Sequence, residues 1–225
     1  VAAGVPVAGL TASEATIYGR YGFGPAIPVA RFQVDARRAG GIASRNHGVE
    51  QADTVEYLER AALAEALSLV HERLRGQRAG QIPGWPLRWE RMAGNTPDED
   101  KARAVRGVRY RDVEGAVRGV LVYQLEPVEG EFAADFVIRH LAAETPEALR
   151  ALWGFAANHD LVRTITADLR PIDDPLPWLV ADQRAVQSVM HDHGWLRILD
   201  VPVALAARTY RAPVDLVIRV TDPLG

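Results

Sequence analysis

Polar and apolar positions alternate with period two in several separate runs, and each run predicts a strand. Between Ile27 and Asp35 the series Val29, Arg31, Gln33 and Asp35 alternates with Ala30, Phe32 and Val34, which reads as a strand with one wet face. Before it, Val5, Val7 and Leu10 form a shorter β-prone run bounded by Gly4 and Thr11. Ser13 offers an N-cap, and Glu14 to Tyr21 is expected to make two helical turns stopped by Gly22. Two dozen residues cannot bury a core, so this opening piece is expected to complete a sheet whose other strands come from elsewhere. A Gly/Arg/Asn-rich loop follows from Arg37 to Gly48. Asp53 with Glu56 three residues on suggests a capping box, and Val55, Leu58, Ala62, Ala66, Leu69 and Arg73 continue at helical spacing to about Arg75.

Pro83, Pro86 and Pro97 mark Gly76 to Asp100 as loop, interrupted by a short helix from Pro86 to Ala93 that carries Trp89. Val105 to Asp112 and Ala116 to Leu125 are β-rich and joined at Glu114-Gly115, a hairpin signal. Phe132 to Ala142 is a further strand. Thr145-Pro146-Glu147 then combines an N-cap, an N1 proline and an acidic first turn, and Leu149, Leu152, Trp153 and Ala156 form the stripe of the helix it opens. The remaining expectations are a strand from Arg163 to Leu169, a helix from Pro177 to Met190, a strand from Trp195 to Leu199, a capped helix from Asp200 to Arg208 and a last strand from Asp215 to Val220. The order is mixed α/β, an antiparallel meander followed by a β-α-β crossover.

The chain has 225 residues, 48% hydrophobic and 24% charged, as in soluble globular proteins. It contains no cysteine, which excludes disulfides, thiolate metal sites and a cysteine nucleophile. A net charge of −3 gives no electrostatic reason to expect nucleic acid or an anionic membrane as partner. Lys101 is the only lysine among 26 basic residues, a coding bias toward arginine more than a chemical signal. No run of apolar residues is long enough to span a bilayer. The apolar opening from Val1 to Ala12 lacks a basic leader and is broken by Pro6, so a cytoplasmic protein is expected. His191 and His193 flank Asp192 without a third ligand nearby, and at the predicted helix end the dipole alone favours histidine, so no metal is expected. The glycines of Gly19 to Gly24 follow a helix instead of preceding one, which makes them a helix stop and not a phosphate loop.

Two stretches are more specific. The segment from Leu10 through Tyr18 and Gly22-Phe23 to Pro25, and Asp174-Pro-Leu-Pro-Trp-Leu followed by Trp195-Leu-Arg-Ile-Leu-Asp-Val-Pro202, together resemble the enhanced-intracellular-survival (Eis) acetyltransferases of the GNAT superfamily. Tyr18 with Gly22 and Phe23 also fits the general GNAT signature. The resemblance implies a GNAT-like mixed sheet with flanking helices in a tandem GNAT arrangement, truncated at both ends. Residues 1–26 then look like the C-terminal part of a first, catalytic GNAT domain, 27–210 like a second GNAT-like domain, and 211–225 like the start of a sterol-carrier-like domain. The acetyl-CoA pyrophosphate loop would lie before Val1, and the family's general base, a C-terminal carboxylate, would lie outside the chain.

The activity implied is acetyl transfer from acetyl-CoA to a primary amine, on an aminoglycoside-like polyamine or a lysine side chain, in an assembly that the family forms as a hexamer. Such a reaction needs a deprotonated amine, donors for the developing oxyanion and an acid for the departing thiolate. A tyrosine is neutral at pH 7 and can donate that last proton. By resemblance the acid is Tyr18, while Ser13 and Ile17 line the cofactor's pantetheine arm; from spacing alone Tyr18 is a tyrosine on an amphipathic helix and Ser13 a plain cap. Trp89 resembles a tryptophan lining the substrate pocket, and Glu90, Asp98, Glu99 and Asp100 would make that pocket suit a polyamine, although a buried structural tryptophan beside a solvated acidic loop fits the residues equally. In the second domain, Glu144-Thr145-Pro146-Glu147 stands where a GNAT helix would grip pyrophosphate. Proline removes an amide donor and two carboxylates repel a diphosphate, so CoA is expected not to bind there. The alternative function is a non-catalytic GNAT-like scaffold that has lost CoA binding.

Overall fold

The computed structural model describes residues 4–42, 54–77, 80–97, 102–213 and 215–222. They divide into two compact units, Arg31–Val189 and a second formed by Val1–Ala30 with Met190–Gly225. In the larger unit the part of β2 (Gly24–Asp35) from Arg31 onward, β3 (Thr54–Leu58), β4 (Arg106–Arg111), β5 (Val117–Pro127), β6 (Ala134–Ala143) and β7 (Val162–Arg170) hydrogen-bond in the order β2-β7-β6-β5-β4-β3. The run from β3 to β6 is the expected antiparallel meander, and β6 pairs with β7 in parallel. The crossover between them is α5 (Pro146–Ala157), where Thr145 accepts the Ala148 amide and Pro146 occupies the first turn. This mixed α/β arrangement with helices on both faces of the sheet is the GNAT fold.

Period-two alternation divides the core between the faces. On one side Leu63, Leu67, Val70 and Leu74 of α3 (Arg60–Gln77) and Trp89 of α4 (Pro86–Met92) pack on Val120 and Val122. On the other, Leu152 and Ala148 of α5 lie against Gly119, and Phe155 meets the stacked rings of Tyr123 and Phe136 edge-on. Burial pushes the Tyr123 hydroxyl up to about 12. In the hairpin between β4 and β5, Asp112 accepts the amides of Glu114 and Ala116 while Gly115 takes φ +81°.

Four expected elements differ: the loop expected from Arg37 begins inside a short helix, α2 (Ala36–Ala39), capped by Asp35. The helix expected from the Asp53–Glu56 capping box starts only at Arg60; Asp53 itself lies outside the described residues. Residues 54–58 are instead β3, whose ladder with β4 places Glu56 opposite Arg109, and the Arg109 and Arg111 guanidinium groups hold its carboxyl below the usual carboxylate range. The helix expected at Pro177 to Met190 shrinks to α6 (Leu176–Leu179), and Val186–Ile198 is one long strand, β8, so His191 and His193 stand on a strand and not at a helix end. The last expected strand joins no ladder, for residues 215–222 are irregular and Val217 is 97% exposed.

Parallel pairing between β6 and β7 stops at Ile138 and Ala167. Beyond that point the Arg170 side chain bridges the two strands. It donates to the Leu141 carbonyl at 2.5 Å and to Asp174 Oδ2 at 2.9 and 2.6 Å, with the two side chains 9% and 1% exposed. A buried ion pair that loses one member leaves an uncompensated charge, so Asp174→Ala should cost about 3–5 kcal/mol in urea unfolding, whereas a cost below about 1 kcal/mol would show that the clamp is dispensable. On the same strand the His140 Nε2 is buried without a hydrogen-bond partner, and burial, with Arg170, Arg88 and His71 nearby, lowers its pKa to about 4. The unfolded chain therefore binds a proton below about pH 6.5 that the folded one refuses, and stability falls as pH drops from there toward 4, by up to about 3 kcal/mol. Urea titrations at pH 7 and 4.5 should show that loss in the native sequence and less of it in His140→Gln; equal slopes would refute the assignment.

Candidate functional site

In the smaller unit, β1 (Val7–Thr11) pairs antiparallel with β8. The register sets Leu10 opposite Trp195, Gly9 opposite Leu196 and Ala8 opposite Arg197. The start of the first specific stretch, Leu10–Thr11, is thus paired with the strand that carries Trp195–Ile198 of the second. It is extended by the Leu199 and Asp200 amides, both donating to the Pro6 carbonyl, and then α7 (Val201–Ala206) begins under an Asp200 cap, as its sequence suggested.

The connection from β1 to β2 is a single helical turn, α1 (Ala15–Gly19). Its N-cap is Glu14, without a side-chain cap bond, so the cap expected at Ser13 does not form. Ser13 is exposed at a bend, Ile17 is 42% exposed and Tyr18 is half-buried. The chain closes tightly after Tyr18, whose carbonyl accepts the amides of Tyr21 and Phe23. Gly22, at φ +74°, makes that closure possible.

Arg197, which sequence reasoning did not single out, packs against this turn. A Cβ at Gly22 would lie 2.5 Å from Arg197 Nη1, and the same guanidinium pairs with Asp222 at 2.5 Å. The side chain on β8 therefore spans from the Tyr18 turn to the segment near residue 222. Its signal in the sequence was only its place between Trp195 and Asp200. Next to it, Trp195 Nε1 donates to Asp192, the residue between the two histidines. Among the described residues no three His, Asp or Glu side chains converge as metal ligands would.

Trp89 belongs to the larger unit. It is 5% exposed, with the Arg88 guanidinium 5.3 Å above its ring and His71 against it at 4.8 Å. Glu90, on the same helix, accepts from Asn95; Asp98, Glu99 and Asp100 lie outside the described residues.

The splayed ends of β6 and β7 open a cavity of about 410 Å³ at the start of α5, lined by Glu144, Thr145, Pro146, Glu147, Arg150 and Leu179 among others. A diphosphate would need free amides there. Pro146 has none, the Ala148 amide is taken by Thr145 Oγ1 and the Leu149 amide by the Thr145 carbonyl. The expected repulsion is altered in one respect, because Glu144 is buried between Arg73 and Arg118, each at 3.3 Å, and does not present a free charge. The residues at 144–149 do not fit a CoA diphosphate.

Residues 80–198 match the family described as Acetyltransferase (GNAT) domain. The chain is 35% identical, over 99% of its length, to an N-acetyltransferase of Streptomyces griseus, and 33% identical, over 97%, to the N-acetyltransferase Eis of Mycobacterium tuberculosis. It superposes on the crystal structure of Eis1 from Mycobacterium abscessus with a TM-score of 0.72 at 33% identity, covering 93% of this chain and 51% of that one. It spans about half the length of the curated relatives it matches, 55% and 53% for the two above. The chain belongs to the GNAT acetyltransferase family. Within that family its relatives include the Eis N-acetyltransferases.

The Tyr18 turn leads to a stability prediction. Gly22→Ala would place a methyl group in left-handed backbone and against Arg197, at a cost of about 1–3 kcal/mol by thermal unfolding, and a loss below about 0.5 kcal/mol would show that the turn relaxes freely.

Proposed function

We propose that this chain is part of an acetyl-CoA-dependent N-acetyltransferase acting on primary amines, those of an aminoglycoside-like polyamine or of a lysine side chain. The observation that carries the reading is the ladder joining β1, the strand that leads into the Tyr18 turn, to Trp195–Arg197, in a chain about one-third identical to Eis proteins along nearly its whole length. Tyr18 serves as general acid. As the amine attacks the thioester carbonyl and the carbon–sulfur bond breaks, the phenol gives its proton to the departing sulfur, and a general base outside this chain takes the amine's proton. Ser13 and Ile17 run beside the pantetheine arm of the donor, and Trp89 borders the acceptor's pocket. The donor's diphosphate is held by a part of the protein outside these residues.

In this reading residues 1–26 complete a first, catalytic GNAT domain, 27–210 are a second GNAT-like domain and 211–225 begin a sterol-carrier-like one, with the whole working as a homo-oligomer, a hexamer. The second domain acts as a scaffold and does not hold CoA. The missing amide cradle at Thr145-Pro146 favours that division of labour.

The test is acetyl-CoA consumption by the full-length protein with an aminoglycoside or a lysine peptide as acceptor. Tyr18→Phe should lower kcat by about 10²- to 10⁴-fold with little change in KM. An unchanged rate would remove Tyr18 from the mechanism, and no turnover by the native protein with either acceptor would reject the enzyme assignment. Hydrogen exchange should show no added protection at residues 144–148 when acetyl-CoA is present, and added protection there would overturn the scaffold role of the second domain.

A further inference from the structure

Away from the Tyr18 segment, the larger unit carries a second feature with the makings of a site. A recess of about 160 Å³ is lined by Trp85, Leu87, Arg88, Arg91, Met92 and Arg139, with no acidic side chain among the described residues of its lining. Arg88 is held between two indoles, its central carbon 5.5 Å from the Trp85 ring and 5.3 Å from the Trp89 ring. Stacking of this kind uses the flat faces of a guanidinium and leaves its N–H edges for a planar or tetrahedral oxyanion.

The support beneath that stack is rigid. Gly84 passes so close to the Trp89 indole that a Cβ there would lie 2.0 Å from its ring, and His71, which meets the Ile82 carbonyl at 3.0 Å, lies with its ring 4.8 Å from the indole. Arg91 makes no side-chain hydrogen bond or ion pair among the described residues, while Trp85 and Leu87 are 50% and 54% exposed. The arginines' charge reaches further, since Arg88 is among the groups that keep the buried His140 uncharged.

We propose that this recess is a binding site for a small aromatic oxyanion. The anionic group sits between the guanidinium edges of Arg88 and Arg91, and the ring lies on the exposed indole of Trp85. The volume admits a single substituted ring and falls below the usual range for larger ligands. The two guanidinium groups of Arg88 and Arg91 favour an anion over a polyamine in this recess, and its occupancy by an anion does not depend on the acetyl-transfer reading.

The experiment is a titration of the protein with phenyl phosphate, followed by the indole N–H signals of its five tryptophans, with Trp85→Phe used to assign one of them. The Trp85 signal should shift with a Kd of about 0.1–1 mM that weakens as salt is added. Inorganic phosphate, which lacks the ring, and phenol, which lacks the charge, should each bind at least about 10-fold more weakly. Benzoate distinguishes the anion: binding equal to phenyl phosphate marks a carboxylate site and weaker binding a phosphate site, either supporting the proposal. Arg91→Gln, at an exposed position, should weaken phenyl phosphate binding at least about 10-fold with an unchanged melting temperature. The proposal is overturned if the Trp85 signal stays still to about 10 mM ligand, if inorganic phosphate binds as well as phenyl phosphate, or if Arg91→Gln binds as the native protein does.

Discussion

The arrangement of the larger unit depends on how two parallel strands can part without leaving buried polar groups unpaired. The last ladder pair joins Ile138 and Ala167, and three residues further along each strand the Arg170 side chain reaches the Leu141 carbonyl. A side chain thus replaces the backbone bond that the splay removes, and Asp174 neutralises the buried cation that does so. The geometry is set locally as well, because Leu169 just before it adopts φ +55°. Asp174 also accepts the Leu176 amide, which folds the Asp-Pro-Leu-Pro-Trp-Leu segment back toward the strand end. The motif that was distinctive in sequence is therefore explained by the charge it must place beneath the splay.

Elements whose signals are local were legible in the sequence. Thr145-Pro146-Glu147 announced α5, Glu114-Gly115 the hairpin, Asp200 the last helix, and the alternation through Phe32 and Val34 the inner half of β2. Where the reading failed, the deciding partner was remote. Asp53 and Glu56 have the spacing of a capping box, but Glu56 is claimed by two arginines more than fifty residues away on the neighbouring strand. Residues 186–190 have no alternation that would mark a strand, since most of them are exposed, and their conformation follows from lying beside β2.

The candidate site was legible in part for the same reason. Tyr18 and Gly22 form a short-range signature and were visible. Arg197 was not, for its role arises only when antiparallel pairing brings β8 beside the opening strand. The recess beside Trp89 had a signal that could have been read, since Trp85 and Arg88 are three apart at the start of a helix, the spacing at which side chains meet.

Every ion pair described in the molecule uses arginine on its cationic side, from the exposed Arg31–Asp168 contact to the buried Arg170–Asp174 clamp. A guanidinium stays protonated at any pH the protein meets and does not attack a thioester, whereas a lysine amine held near an acyl donor can be modified and lose its charge. With one lysine in 225 residues, the protein has almost no side-chain amine to offer. Its electrostatic framework is chemically inert toward the group that its family transfers, so prolonged contact with an activated acyl donor would leave those contacts intact.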